Sequence, residues 1–146
     1  MTDSVKESFS LKKGRMFTIF VVIVLFAIGT YQTLSGSKGV VTAQVDAEHL
    51  GVCGTYGDAV FVKLTDIKDI LLTDSFDFGT SIADASTGNT VSGLYSCTAY
   101  GQYTVHAYTD VSSFIVVSHS DGILVFNCAT DSLTENIYDQ LLQTGG

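Results

Sequence analysis

From Met16 to Leu34 the chain runs nineteen residues without a charge, and none follows until Lys38. As a helix rising about 1.5 Å per residue, this stretch spans roughly 28 Å, close to the hydrocarbon thickness of a bilayer. It also divides the chain electrically. Residues 1–38 carry five Lys/Arg (Lys6, Lys12, Lys13, Arg15, Lys38) against Asp3 and Glu7, a net of +3. Residues 39–146 carry Lys63 and Lys68 against thirteen Asp/Glu, a net of −11, and the two halves make up the overall −8. Lys12, Lys13 and Arg15 abut the apolar run, so the positive-inside rule places the N-terminus in the cytoplasm and the remainder outside it. The expected organisation is a cytoplasmic tail (1–15), a transmembrane helix (16–34), a small-residue linker (35–44) and one folded domain (45–143).

The same stretch has a second reading as a cleaved signal peptide. Ser35-Gly36-Ser37 and Val41-Thr42-Ala43 are small-residue sites downstream of a basic and then an apolar region. The length of the uncharged run, the fifteen residues before it, and Tyr31 at the position of an interfacial aromatic favour retention. Both readings export the domain.

About a hundred residues remain for that domain, enough for one core. A net of −11 argues against nucleic acid, whose phosphates need Lys/Arg, and against anionic lipid head groups. Fourteen glycines, seven tyrosines and nine phenylalanines beside many Val, Ile and Thr point to strands and tight turns. Strands are expected over Ala47–Thr55 and Ala59–Leu64, paired as a hairpin, and a short one over Ile67–Leu72. Asp74 to Thr90 reads as a long loop, a length associated with binding. Leu94–Tyr100 and Tyr103–Tyr108 read as a hairpin turning at Gly101-Gln102. Phe114–Val117 is apolar throughout, as a strand covered on both faces is, and Ile123–Asn127 follows. Ser132 and Glu135 have capping-box spacing, with Leu133, Ile137, Tyr138, Leu141 and Leu142 on one helical face.

No catalytic or metal-binding pattern is present. His49, His106 and His119 lack ligand spacing, and Gly-x-Ser-x-Gly is absent. Cys53, Cys97 and Cys128 contain no Cys-x-x-Cys pair and nothing local that would activate a thiol; they read as buried free thiols or as one disulfide with a thiol left over. Asp74, Asp77 and Asp84 lack the alternation of a calcium loop. No cofactor is expected. Phe76, Phe78, Ile82 and Asp84 are the candidate partner contacts, with Phe76 and Phe78 either exposed for binding or folded back as core.

The run of Tyr56-Gly57, the Asp66-Ile67 step, Gly79 and Gly88 in the loop, Gly93-Leu94-Tyr95, Tyr100-Gly101, the Phe114–Val117 strand and the C-terminal helix resembles the bacterial pleckstrin-homology-like domains, often tethered to a membrane segment. The resemblance covers roughly Ala47 to Leu142. It implies a partly open β-barrel of about seven strands with a C-terminal helix over one end, and it specifies no ligand. The Lys/Arg cluster that phosphoinositide binding requires is missing: the first hairpin turn is Gly54-Thr55-Tyr56-Gly57-Asp58, with only Lys63 beyond it. The expected function is thus a membrane-anchored, outward-facing, non-enzymatic protein-interaction module. A self-assembling envelope component is the alternative, and a small thiol- or metal-dependent hydrolase a further one.

Overall fold

The computed structural model describes residues 38–145; the tail and the apolar stretch 16–34 lie outside them. Among the described residues no helix is long and apolar enough to cross a membrane. The compact unit containing the described residues runs Ser37–Gly146.

The fold is mainly β, with two sheets and one C-terminal helix. The first sheet is a three-stranded meander, β1 (Thr42–Val45), β2 (His49–Cys53) and β3 (Ala59–Lys63). A single 3-10 turn (Leu64–Asp66) leads to the second sheet, made of β4 (Ile67–Thr73), β5 (Thr80–Asp84), β6 (Thr90–Cys97), β7 (Gly101–Tyr108), β8 (Phe114–His119) and β9 (Gly122–Phe126). Its order is β4-β8-β9-β7-β6-β5. Helix α1 (Asp131–Thr144) closes the chain.

The mainly β class and the C-terminal helix are as expected; the nine strands form two sheets and no closed barrel, where about seven strands in a partly open barrel were expected. β9 turns back from β8 and lies parallel to β7 (Thr104 beside Leu124, His106 beside Phe126), and β6 and β5 continue the sheet beyond β7. Two of the added strands occupy segments with weak apolar patterns. β1 falls in the stretch expected to be linker, and β5 in the expected Asp74–Thr90 loop; all five β5 residues are exposed, so no burial period marks it.

The apolar alternation is a consequence of two cores sharing one sheet. On one face of β8 and β9, Ile115, Val117, Leu124 and Phe126 pack against Leu50, Val52 and Val62 of the first sheet and Leu141 of α1. On the other face Phe114, Val116 and Val125 join Tyr95, Tyr103, Val105 and Ala107. Phe114 to Val117 are all buried, as the unbroken apolar run predicts.

Two further sequence expectations shift register. The β6–β7 hairpin turns at Thr98-Ala99-Tyr100, pairing Cys97 with Gly101, and Gly101 begins β7 at φ +68°; a left-handed residue closing a three-residue loop is the conformation glycine makes cheap. Helix α1 is capped by Thr130, whose hydroxyl accepts from the Leu133 N–H at 3.2 Å, so the Ser132–Glu135 pair is no capping box. Asp131 at the first turn accepts instead from the Ser112 and Ser113 amides, at 3.1 and 2.7 Å, tying the helix start to the loop before β8. The buried helix face becomes Thr134, Ile137, Tyr138 and Leu141, leaving Leu133 and Leu142 about half exposed.

That change of face predicts a contrast. Leu141→Ala should lower the free energy of unfolding by about 2–5 kcal/mol, whereas Leu142→Ala should stay within about 0.5 kcal/mol of the parent. Urea titrations of the two variants distinguish this face from the one centred on both leucines.

Candidate functional site

The segment singled out as a partner contact divides into two parts. Phe76 and Phe78 take the inward alternative. Phe76 lies 5.8 Å from the Tyr100 ring, stacked, and 5.4 Å from Tyr103, edge-on. Phe78 meets Phe114 edge-on at 5.7 Å. Geometries of this kind add about 0.5–1.5 kcal/mol per pair beyond area burial. The Tyr103 hydroxyl donates to the Phe78 carbonyl at 2.5 Å, and the Asp77 carboxylate accepts from the Gly79 amide, so the strap is fixed by backbone as well as rings. Burial pushes the Tyr103 phenol well above its usual range, which keeps it a donor. The strap thus covers the second core. Ile82 and Asp84 are different. They sit on β5 at the sheet's outer edge, Ile82 half exposed; the Ser86 hydroxyl and then its amide, which donates to Asp84 at 2.7 Å, hold the Asp84 carboxyl below the ordinary value. β5 approaches β6 closely because Gly93, at φ +125°, has no Cβ to meet the Ala83 carbonyl.

The first sheet presents a second exposed surface. Tyr56, in the β2–β3 turn, is 70% exposed and Phe61, on β3, 73%. Phe61 lies over Gly51 on the neighbouring strand; a Cβ there would sit 3.2 Å from the ring. Near the other end of that sheet an open cleft of about 440 Å³ is lined by Glu48, His49, Lys63, the last helical residue Thr144 and the Gly145 that caps it. Its charges are mixed, with no converging set of donors for any one ligand.

The histidines separate. His49 lies 3.9 Å from Asp46 on the surface. His106 is buried, with Nδ1 3.2 Å from the Ser92 hydroxyl directly across the β6–β7 pair. Gly54 lies against its ring so closely that any Cβ at that position would collide with it. Beside this pair a small polar cluster pins the start of the domain. Asn89 accepts from the Gly39 amide at 2.6 Å and donates to the Gly39 carbonyl at 3.0 Å. Thr90 links the Thr55 and Thr87 hydroxyls at 3.2 and 2.8 Å. Sequence reasoning missed this cluster, because single Thr, Ser and Asn residues spread over Gly39 to His106 carry no spacing signal.

All three cysteines are free thiols. Burial pushes the Cys53 thiol up, with Asp58 adding to the effect, and burial likewise raises Cys128. Among the described residues no three His, Cys, Asp or Glu side chains come together as a metal site.

Comparison with family models, with curated proteins and with solved structures finds no match to this chain.

The His106 environment has a consequence for pH. Burial holds its imidazole below the ordinary value, with Asp58 acting the other way. The unfolded chain therefore binds a proton near pH 6.5 while the folded chain resists it. The His106 contribution to stability is level above about pH 7 and is lost as pH drops below about 6.5. The hydrogen-bonded Asp46, Asp84 and Asp131, held low, contribute their losses only near and below about pH 4. Urea midpoints should thus fall between pH 7 and 5.5 in the parent, and His106→Gln should flatten that slope.

Proposed function

We propose that this chain is a membrane-anchored, outward-facing interaction module of pleckstrin-homology-like type, without enzymatic activity. The observation that carries the proposal is the uncharged Met16–Leu34 stretch, basic before it and strongly acidic after it. The order of a β-meander, further antiparallel strands and a closing amphipathic helix supports the pleckstrin-homology-like assignment; the nine strands and the parallel β7–β9 pair depart from the family pattern. The exposed Tyr56 and Phe61, and Ile82 and Asp84 on the β5 edge, are the surfaces offered to partners, in keeping with the use of aromatics as interface anchors. Raised thiols at Cys53 and Cys128 favour a non-enzymatic reading, since the thiolate is the reactive form.

The fold also bears on processing. Cleavage at Val41-Thr42-Ala43 would remove buried Val41 and cut β1 in half, whereas Ser35-Gly36-Ser37 precedes the first sheet entirely. An exported, cleaved form therefore keeps its fold only if cut at the earlier site.

Labelling decides the topology. Ser86 is half-buried, its hydroxyl accepting from the Ser92 amide, whereas Gly88 beside it is exposed with open space around its Cα. In a Cys53→Ser chain, Gly88→Cys should react in intact cells with a membrane-impermeant maleimide, and Ser4→Cys should react only after lysis. The reverse pattern makes the domain cytoplasmic and overturns the proposal.

A further inference from the structure

The free edge of β3 carries a self-complementary pairing surface. Two bonds fix which of its backbone groups point where. The Gly54 amide donates to the Asp58 carbonyl and the Leu64 amide to the Glu48 carbonyl, each at 2.8 Å. In an antiparallel ladder bonded and non-bonded pairs alternate. With Val52 opposite Val60 and Leu50 opposite Val62 as the bonded pairs between them, Ala59, Phe61 and Lys63 must turn their N–H and C=O groups away from β2. Among the described residues no strand takes them up, since β3 ends its sheet.

The other edges are compromised. β1 and β4 both contact α1, and β5 is broken by a register shift between Ser81 and Ala83, a device that protects edges from pairing. β3 is regular, its three outward residues are exposed, and it carries the exposed Phe61 ring at its centre.

We infer that β3 pairs with β3 of a second copy of this chain, antiparallel and centred on Phe61. This goes beyond the proposed function and does not rest on the membrane segment. In that register Phe61 faces the second copy's Phe61, and Ala59 faces its Lys63. Every outward group falls in a bonded pair, so each N–H meets a carbonyl and the two meanders become one six-stranded sheet. The two Phe61 rings lie side by side, each over the shelf left by a side-chain-less Gly51. Charge selects the same arrangement. A domain of net −11 repels its copy, but the segment Ala59–Lys63 holds no carboxylate and one of the three described lysines. Antiparallel pairing sets each Lys63 opposite the second copy's uncharged Ala59, whereas parallel pairing in register would stack Lys63 on Lys63, like charges that destabilise a sheet.

The test is register-specific disulfide trapping in the purified full chain. Cys53 is first replaced by serine, because it lies directly opposite Ala59 and would capture a new thiol within one chain. Paired positions 59 and 63 of two copies would have Cα atoms about 5.5 Å apart, within disulfide reach, while two copies of position 59 would be roughly 13 Å apart. Oxidising a mixture of Ala59→Cys and Lys63→Cys chains, tagged to differ in size, should give about tenfold more mixed dimer than either self-dimer. Adding Phe61→Glu, an exposed change that opposes like charges at the two-fold, should reduce the mixed dimer to the self-dimer level while circular dichroism stays unchanged. Equal self- and mixed dimers, no dimer, cross-linking to residues 1–37 or to another polypeptide, or insensitivity to Phe61→Glu in a chain that is still folded would each overturn the inference.

Discussion

Two-sided burial of β8 and β9 is the constraint on which the rest of the domain depends. A strand whose residues are apolar on both faces must be covered twice, and over Phe114–Val117 β8 has no polar face to offer water. The first sheet and α1 cover one side, and the Phe76–Phe78 strap with its tyrosines covers the other. Each cover is too small to hold itself. A three-stranded meander buries one face at most, and the Phe76–Phe78 strap has no ladder of its own. Their stability is borrowed from the same two strands, so the fold should lose both covers together when the central pair is disturbed.

Polar groups at the margins are then used to finish what apolar contact starts. Asp131 reaches from the helix to two amides of the loop before β8. Thr134, fully buried within α1, accepts from the Cys128 amide and donates to the Thr130 carbonyl, satisfying both sides of its hydroxyl. These contacts fix how the helix enters, which periodicity alone does not determine. They also explain why the helix buries threonine where a leucine was expected.

How much of this was legible in the chain follows from where burial leaves a period. The β2–β3 hairpin, the apolar Phe114–Val117 run of β8 and the existence of α1 are strongly patterned, and the structure contains them. β5 escaped because an exposed edge strand has no apolar alternation, and β1 because four residues of mixed polarity resemble a linker. The turn between β6 and β7 was misplaced because Gly101-Gln102 looks like a two-residue turn, whereas the left-handed glycine closes a longer one. Of the candidate contacts, the strap phenylalanines carried an ambiguity that only packing resolves. The His106 nook was not legible at all. Its strand alternation puts His106 on the polar face, and only the absence of a side chain at Gly54 makes room to bury it.

Two asparagines deserve comparison in this light. Asn127, fully buried after β9, accepts from the Tyr108 amide at 2.6 Å and donates to the Tyr108 carbonyl at 3.1 Å. Asn89 does the same for Gly39. Each side-chain amide takes up both the N–H and the C=O of one residue, as the peptide group of a neighbouring strand would. The substitution works only because a carboxamide is donor and acceptor at once. Loss of ammonia from either residue would leave a carboxylate facing a carbonyl oxygen, with a negative charge where a donor had been. Asparagine is among the thermolabile residues, so the two places where this fold counterfeits its own backbone are also the places where slow chemical ageing would undo it from within.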